Sequence, residues 1–186
     1  MNSRLVIPIG LAVATAIGCG GTPERTKAPV AAADEGVRFG AYVTSLPATH
    51  ALSSSEHDGA VLVFRGEGSN IMLVDAGKGH LDAKASDDEC IRLLVAYTTV
   101  FVSDAAKQPT ELEVSRYGAI AAHPTSRHGC QIEATTKGGQ PAIRTITSFL
   151  EYESGLAIVV CVLPIEATPD DAACQQVVAA VRQAAR

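Results

Sequence analysis

The sequence predicts an α+β domain, an antiparallel and meander-rich sheet sandwiched with an inner helix and a C-terminal helix. Three observations carry that prediction. β-Branched runs separated by glycine turns fill the chain from residue 111 onward; a capping box opens a helical run near residue 87; and the chain closes on a clearly signalled helix. Strands grouped around two helices, rather than alternating with them, fit α+β better than a parallel α/β sheet.

Taken in order, "VRFGAYV" (37–43) reads as a first strand, ended by Pro47. "ALSSSEHDG" (51–59) is polar and reads as a loop. "AVLVFRG" and "SNIMLVDAG" flank Glu67 and Gly68 and read as a hairpin. Val61, Leu62, Val63 and Phe64 do not alternate with polar residues, the pattern of a strand covered on both faces. Ser86-Asp87-Asp88-Glu89 then forms a capping box: the serine hydroxyl accepts a backbone N–H, and Glu89 reaches back to the serine's own N–H. Acid in the first turn also complements the helix dipole. The expected helix, 87–105, puts Ile91, Leu94, Val95, Thr98, Phe101 and Val102 on one face, although β-branched "TTVFV" (98–102) lets strand compete there.

Past residue 111 come "ELEVSRYGAIAA" and then "CQIEATT", with Cys130, Ile132 and Ala134 sharing one face. Gly138-Gly139 makes a turn, and "PAIRTITSFLEY" and "GLAIVVCVLP" flank Glu153, Ser154 and Gly155. The last three runs read as an antiparallel meander. In the closing helix Thr168 serves as cap, Pro169 as first residue, and Asp170 and Asp171 as first-turn acids. Cys174, Val177, Val178 and Val181 share a face that belongs on the sheet.

"KGGQPAIRTITSFLEYESGLAIVVCVLP" (137–164) followed by a terminal helix resembles the end of PsbP-like domains, where a G-x-P-A hairpin precedes a long strand, a second strand closes the sheet and the last helix packs across it. The resemblance covers about residues 130–186. It implies a PsbP-like fold and an accessory or binding role without catalysis.

The N-terminus speaks to location. Arg4 precedes thirteen uncharged residues (5–17), interrupted by Pro8 and Gly10. A membrane span needs about twenty apolar residues, so this run suits the apolar region of a secretory signal. Ala16-Ile17-Gly18-Cys19 resembles the lipobox of bacterial lipoproteins, with Ala16 in place of the usual leucine. The resemblance implies cleavage before Cys19 and acylation of that cysteine. It also implies a site at the outer membrane facing the periplasm, because Gly20 is not the aspartate that retains such proteins at the inner membrane. Two or more acyl chains hold a protein stably where one is marginal. The expected organisation is therefore a signal peptide at 1–18, a lipidated Cys19 with a flexible tether through 36, and one globular domain at 37–186. "GGTPERTKAPVAAADEG" (20–36) has the glycine, proline, alanine and charge of a loose tether. Removing 18 of 186 residues leaves 168, ample for one core, and moves the net charge from −5 to −6. That acidity and the lack of a basic stripe argue against nucleic acid.

Four further cysteines, Cys90, Cys130, Cys161 and Cys174, make an even count that suggests two disulfides in an oxidising compartment. Their spacings of 40, 31 and 13 contain no Cys-x-x-Cys pair, so zinc and redox motifs are disfavoured. Three connectivities remain open on sequence alone. One geometric hint exists: Cys161 lies near the end of a strand-like run and Cys174 about as far into the helix folding back from it, leaving Cys90 for Cys130.

Candidate catalytic sets are sparse. The histidines are His50, His57, His80, His123 and His128. "HPTSRH" (123–128) spaces its pair by five with a proline inside, which spoils helical metal-ligand geometry. "VDAGKGHLD" (74–82) lacks the spacing of a phosphate-binding loop. Ser53, Ser54 and Ser55 lie near His57-Asp58, but no G-x-S-x-G elbow occurs. The sequence calls for no metal and no other cofactor. It favours a non-catalytic, membrane-anchored binding module for an envelope protein or small ligand. A hydrolase or metal enzyme using His57, Asp58, His80 or His123 is the rival, and a purely structural envelope protein a third reading. An enzyme requires two of those histidines to converge with a carboxylate; a binding module requires an exposed apolar groove.

Overall fold

The computed structural model describes residues 36–66, 68–78, 87–106, 109–120, 123–137, 142–166 and 169–185. Cys19 with the leader and nearly all of the tether, His80 and Asp82, the caps Ser86 and Thr168, and the Gly138-Gly139 turn lie outside them. In chain order the elements are β1 (Val37–Phe39), β2 (Tyr42–Thr44), β3 (Ala51–Glu56), β4 (Val61–Arg65), β5 (Asn70–Asp75), α1 (Asp87–Ala106), β6 (Glu111–Ala119), β7 (His128–Lys137), β8 (Arg144–Tyr152), β9 (Gly155–Leu163), α2 (Pro169–Ala180) and β10 (Arg182–Gln183). A single 3-10 turn, His57–Gly59, joins β3 to β4.

Seven strands form one antiparallel sheet in the order β3-β4-β5-β9-β8-β7-β6, and β1-β2-β10 form a small second sheet. The architecture is α+β, with the expected meander β7-β8-β9 extended on one side by β6. Period-two alternation gives the large sheet two apolar faces. Leu62, Phe64, Ile71, Leu73, Val159 and Cys161 point to one core, which α2 and β1-β2 cover. Val63, Met72, Phe149, Ile158, Val160 and Ile132 point to the other, beneath α1. β8 and β9 are central and buried almost throughout, as their unbroken apolar runs require.

α1 keeps its helical register through "TTVFV". Cys90, Leu94, Thr98 and Val102, four apart, are all buried, and Thr98 donates to Thr147 of β8 at 3.0 Å. Tertiary packing of that face outweighs the β-branched propensity. α2 buries Cys174, Val177 and Val178, and Val181 follows just past its end.

Three sequence expectations need correction. "VRFGAYV" is not one strand but a tight hairpin, β1-β2, turned at Gly40 with φ +53. A Cβ there would lie 2.1 Å from Asp75 Oδ2, so the turn needs glycine both for φ and for space. "ALSSSEHDG" is not a loop: its first six residues are the edge strand β3, paired with β4 across a bulge between Leu52 and Ser54. Both its faces are largely exposed, so no burial pattern marks it. The closing helix is followed by β10, which pairs with β2.

Candidate functional site

Among the described residues the polar candidates lie apart rather than gathered as a catalytic set. His57 and Asp58 occupy the β3–β4 turn, exposed and with positive φ. His123 lies in the β6–β7 connection. β5, β9 and β8 stand between the two hairpins, a span from β4 to β7 of about 19 Å at ordinary strand spacing. His123 Nε2 lies 3.0 Å from the Val178 carbonyl, while its Nδ1 accepts the backbone N–H groups of Thr125 and Ser126. These partners place the ring proton on Nε2 and use both nitrogens to dock the loop on α2. His50 bonds Ser69 at 2.9 Å and packs on Gly66. His128 lies opposite Glu151 across β7–β8. Ser53 and Ser55 are exposed on β3 and Ser54 is half-buried. Among the described residues no three histidine, cysteine or acidic side chains gather as metal ligands.

At the same end of the sheet, Asp75 receives Ala41 N–H on Oδ2 and Gly77 N–H on Oδ1, both at 2.8 Å. Tyr42 packs on Tyr152, whose hydroxyl donates to the Val181 carbonyl at 2.8 Å. Burial pushes the Tyr152 hydroxyl up to about 12 and raises that of Tyr42 as well. Each of these groups fixes the β1-β2-β10 sheet or the chain beyond α2 onto the large sheet. The sequence held no signal for this cluster, because its members come from four separate segments.

Each helix is also fastened by a disulfide. Cys90 of α1 and Cys130 of β7 are bonded with Cα atoms 6.3 Å apart, and Cys161 of β9 and Cys174 of α2 at 6.2 Å. The geometric hint thus gave both pairings. One cross-link lies in each core, and pairs of this kind persist in oxidising compartments. On the α2 side Arg144, one-tenth exposed, adds an ionic tie: it donates to Glu133 at 2.8 Å, to Asp171 in the first turn of α2, and to the Pro164 carbonyl. The hydrogen bond to Asp171 raises the guanidinium's already high pKa.

An apolar opening lies on the α1 side of the sheet. α1 packs mainly on β6, β7 and β8, leaving β4 and β5 on its side of the sheet without a helical cover among the described residues. A trough of about 200 Å³ results, floored by Val63, Met72 and Val162 and walled by Phe101, Val102 and Ile143. At 100° per residue, Phe101, Tyr97, Leu93 and Val100 run up one flank of α1 away from this trough. Leu93 is 37 % exposed and Val100 53 %, although helix positions facing outward are ordinarily polar. Tyr97 stands edge-on to Phe149, and burial pushes its hydroxyl up to about 12. Arg65 and Asn70, directly opposite each other on β4 and β5, line one end of the trough. A second concavity of about 240 Å³ on the α2 side is mixed, with Tyr117, Ile120 and Ile146 beside Arg116, Glu133 and Gln175.

No family model matches the chain, and no curated protein does. Solved structures do. The solution structure of cyanobacterial PsbP (CyanoP) from Synechocystis sp. PCC 6803 is similar over 77 % of this chain and 87 % of its own, with a TM-score of 0.55 and 14 % identity. The domain has a PsbP-like fold. The Saccharomyces cerevisiae Ran-binding protein Mog1p matches 77 % of this chain and 90 % of its own, at a TM-score of 0.50 and 12 % identity. A point mutant of Mog1 gives the same coverage, a TM-score of 0.51 and 11 % identity. At such identities the likeness is one of fold, and the site must be argued from this chain's own residues.

Proposed function

We propose that this protein is an envelope lipoprotein whose PsbP-like domain is a non-catalytic module that docks a partner protein. In this reading residues 1–18 are the leader, acylated Cys19 is the anchor, residues 19–36 are the tether, and the domain at 37–186 stands in the periplasm at the outer membrane. The observation that carries docking is the apolar trough with its flanking stripe on α1, on a scaffold whose two helices are both cross-linked to the sheet. The trough's apolar residues are half-buried or buried, while Leu93 and Val100 of the stripe beside it are exposed, and an apolar patch bordered by polar groups is the ordinary form of a protein interface. Its volume favours a protein over a metabolite. Small-molecule pockets run from roughly 300 to 1,000 Å³, whereas about 200 Å³ receives one or two side chains. The dispersal of His57, Asp58 and His123 supports a role without catalysis, and a like-folded protein, Mog1p, is by name a Ran-binding protein.

A photoreactive residue at Val63 of the full-length chain is expected to give a discrete protein adduct in the envelope, and one at Arg182, on the α2 side, none. Absence of an adduct from position 63, or equal adducts from both, contradicts docking at the trough. Palmitate labelling, lost in Cys19→Ser, tests the anchor separately.

A further inference from the structure

We infer that the trough selects a polypeptide segment in which an aliphatic side chain is followed closely by a carboxylate. This rests on the docking reading and names the chemistry of the partner. Val63 and Arg65 are two apart on β4, and Met72 and Asn70 are two apart on β5, so all four side chains project from one face. The floor is therefore apolar under Val63 and Met72 and becomes a polar fork at its end, where Arg65 and Asn70 stand directly opposite. No carboxylate lines the trough among the described residues.

Arg65 differs from the arginines that serve the fold. Arg144 is tied to Glu133 and Asp171, Arg127 to Glu153 and Arg92 to Glu89. Arg65 is exposed and makes no ion pair or side-chain hydrogen bond among the described residues. A free guanidinium at the end of an apolar groove presents paired N–H donors that match a carboxylate bidentately, and the Asn70 amide adds another donor. The chain carries a net charge of −5, so a carboxylate-bearing partner is drawn to its unpaired cations, of which Arg65 stands at the end of the apolar floor. An aliphatic side chain fills the floor and excludes water, which strengthens the ionic contact beside it. The open, shallow trough fits an extended peptide, whose side chain and terminal or side-chain carboxylate lie a few ångströms apart.

The test uses the oxidised domain-containing protein and two probes that differ only in charge: acetyl-Ala-Val-Leu as the free acid and as the amide. Backbone NMR shifts of Val63, Arg65, Asn70, Met72 and Val162 are followed on titration. The acid is expected to shift them saturably, at least fivefold more tightly than the amide, and Arg65→Gln to lower the acid to the amide's affinity while leaving the amide unchanged. Arg65→Lys, which keeps the charge but not the fork, should fall between. Equal binding of acid and amide, or indifference to Arg65→Gln, overturns the carboxylate inference while leaving apolar docking intact. Failure of both probes to move these resonances also overturns it, and the cross-link from position 63 then decides separately whether a partner docks there at all.

Discussion

The two faces of the large sheet carry the same kind of core but are closed differently. On the α2 side a helix, the β1-β2 hairpin and β10 together cover the apolar residues, and polar groups tie the assembly down: Arg144 with Asp171, His123 with Val178, Tyr152 with Val181. On the other side one helix does the covering, fixed by Cys90–Cys130 and the Thr98–Thr147 hydrogen bond, and among the described residues no helix lies over β4 and β5. The contrast is one of fastening: the first face is closed by several elements and polar ties, the second by one helix, one disulfide and one side-chain hydrogen bond among those described.

The sharpest way to break that contrast is to cut the cross-links separately. Loop-closure entropy assigns about 4 kcal/mol to the Cys90–Cys130 bond, which spans 40 residues, and about 3 kcal/mol to Cys161–Cys174, which spans 13. Chemical denaturation of C90A/C130A should therefore show the larger loss, concentrated on the face with fewer other ties. An equal or smaller loss there would mean that α1 is held by packing alone. Next comes Arg144→Met. It leaves Glu133 and Asp171 without their cation, for an expected loss of about 3 kcal/mol on the closed face, read as a drop in denaturation midpoint. Gly40→Ala should cost about 1–2 kcal/mol, because it forces a positive φ on a residue with a Cβ and drives that Cβ into Asp75.

The smallest effect concerns pH. Tyr97, on α1, and Tyr152, under α2, are both held near 12 by burial, above the ordinary value of 10. A tyrosine whose folded pKa is raised binds its proton more tightly when folded, so its contribution is complete below pH 10 and lost as pH rises toward 12. Stability should fall across that window. Tyr97→Phe should flatten the fall while changing little at pH 7, as followed by denaturation at stepped pH; an unchanged slope would show that Tyr97 is not buried as described.

Much of this fold was legible because burial leaves a period. The runs at β4, β5, β7, β8 and β9, the face of α1, and Cys174, Val177 and Val178 of α2 all follow from apolar spacing. Strand β3 escaped notice because Ser53, Ser54 and Ser55 at an exposed edge have no apolar face to alternate. Gly40 carries no turn signal of its own, since a two-residue hairpin inside seven residues has no room to show a period. The order of the sheet was beyond local pattern, because β5 pairs with β9 some ninety residues on, at Asn70 with Val162. The trough was illegible for the same reason. Val63, Met72, Phe101 and Val162 meet only once that pairing and the position of α1 are known.

We propose an exported, cross-linked domain held by lipid at Cys19. Peptide mapping of the chain recovered from the envelope without reduction tests it in one measurement. The expected result is a first residue at Cys19 carrying acyl mass, with Cys90 linked to Cys130 and Cys161 to Cys174. Four alkylatable thiols on a chain that still begins at Met1 would contradict it.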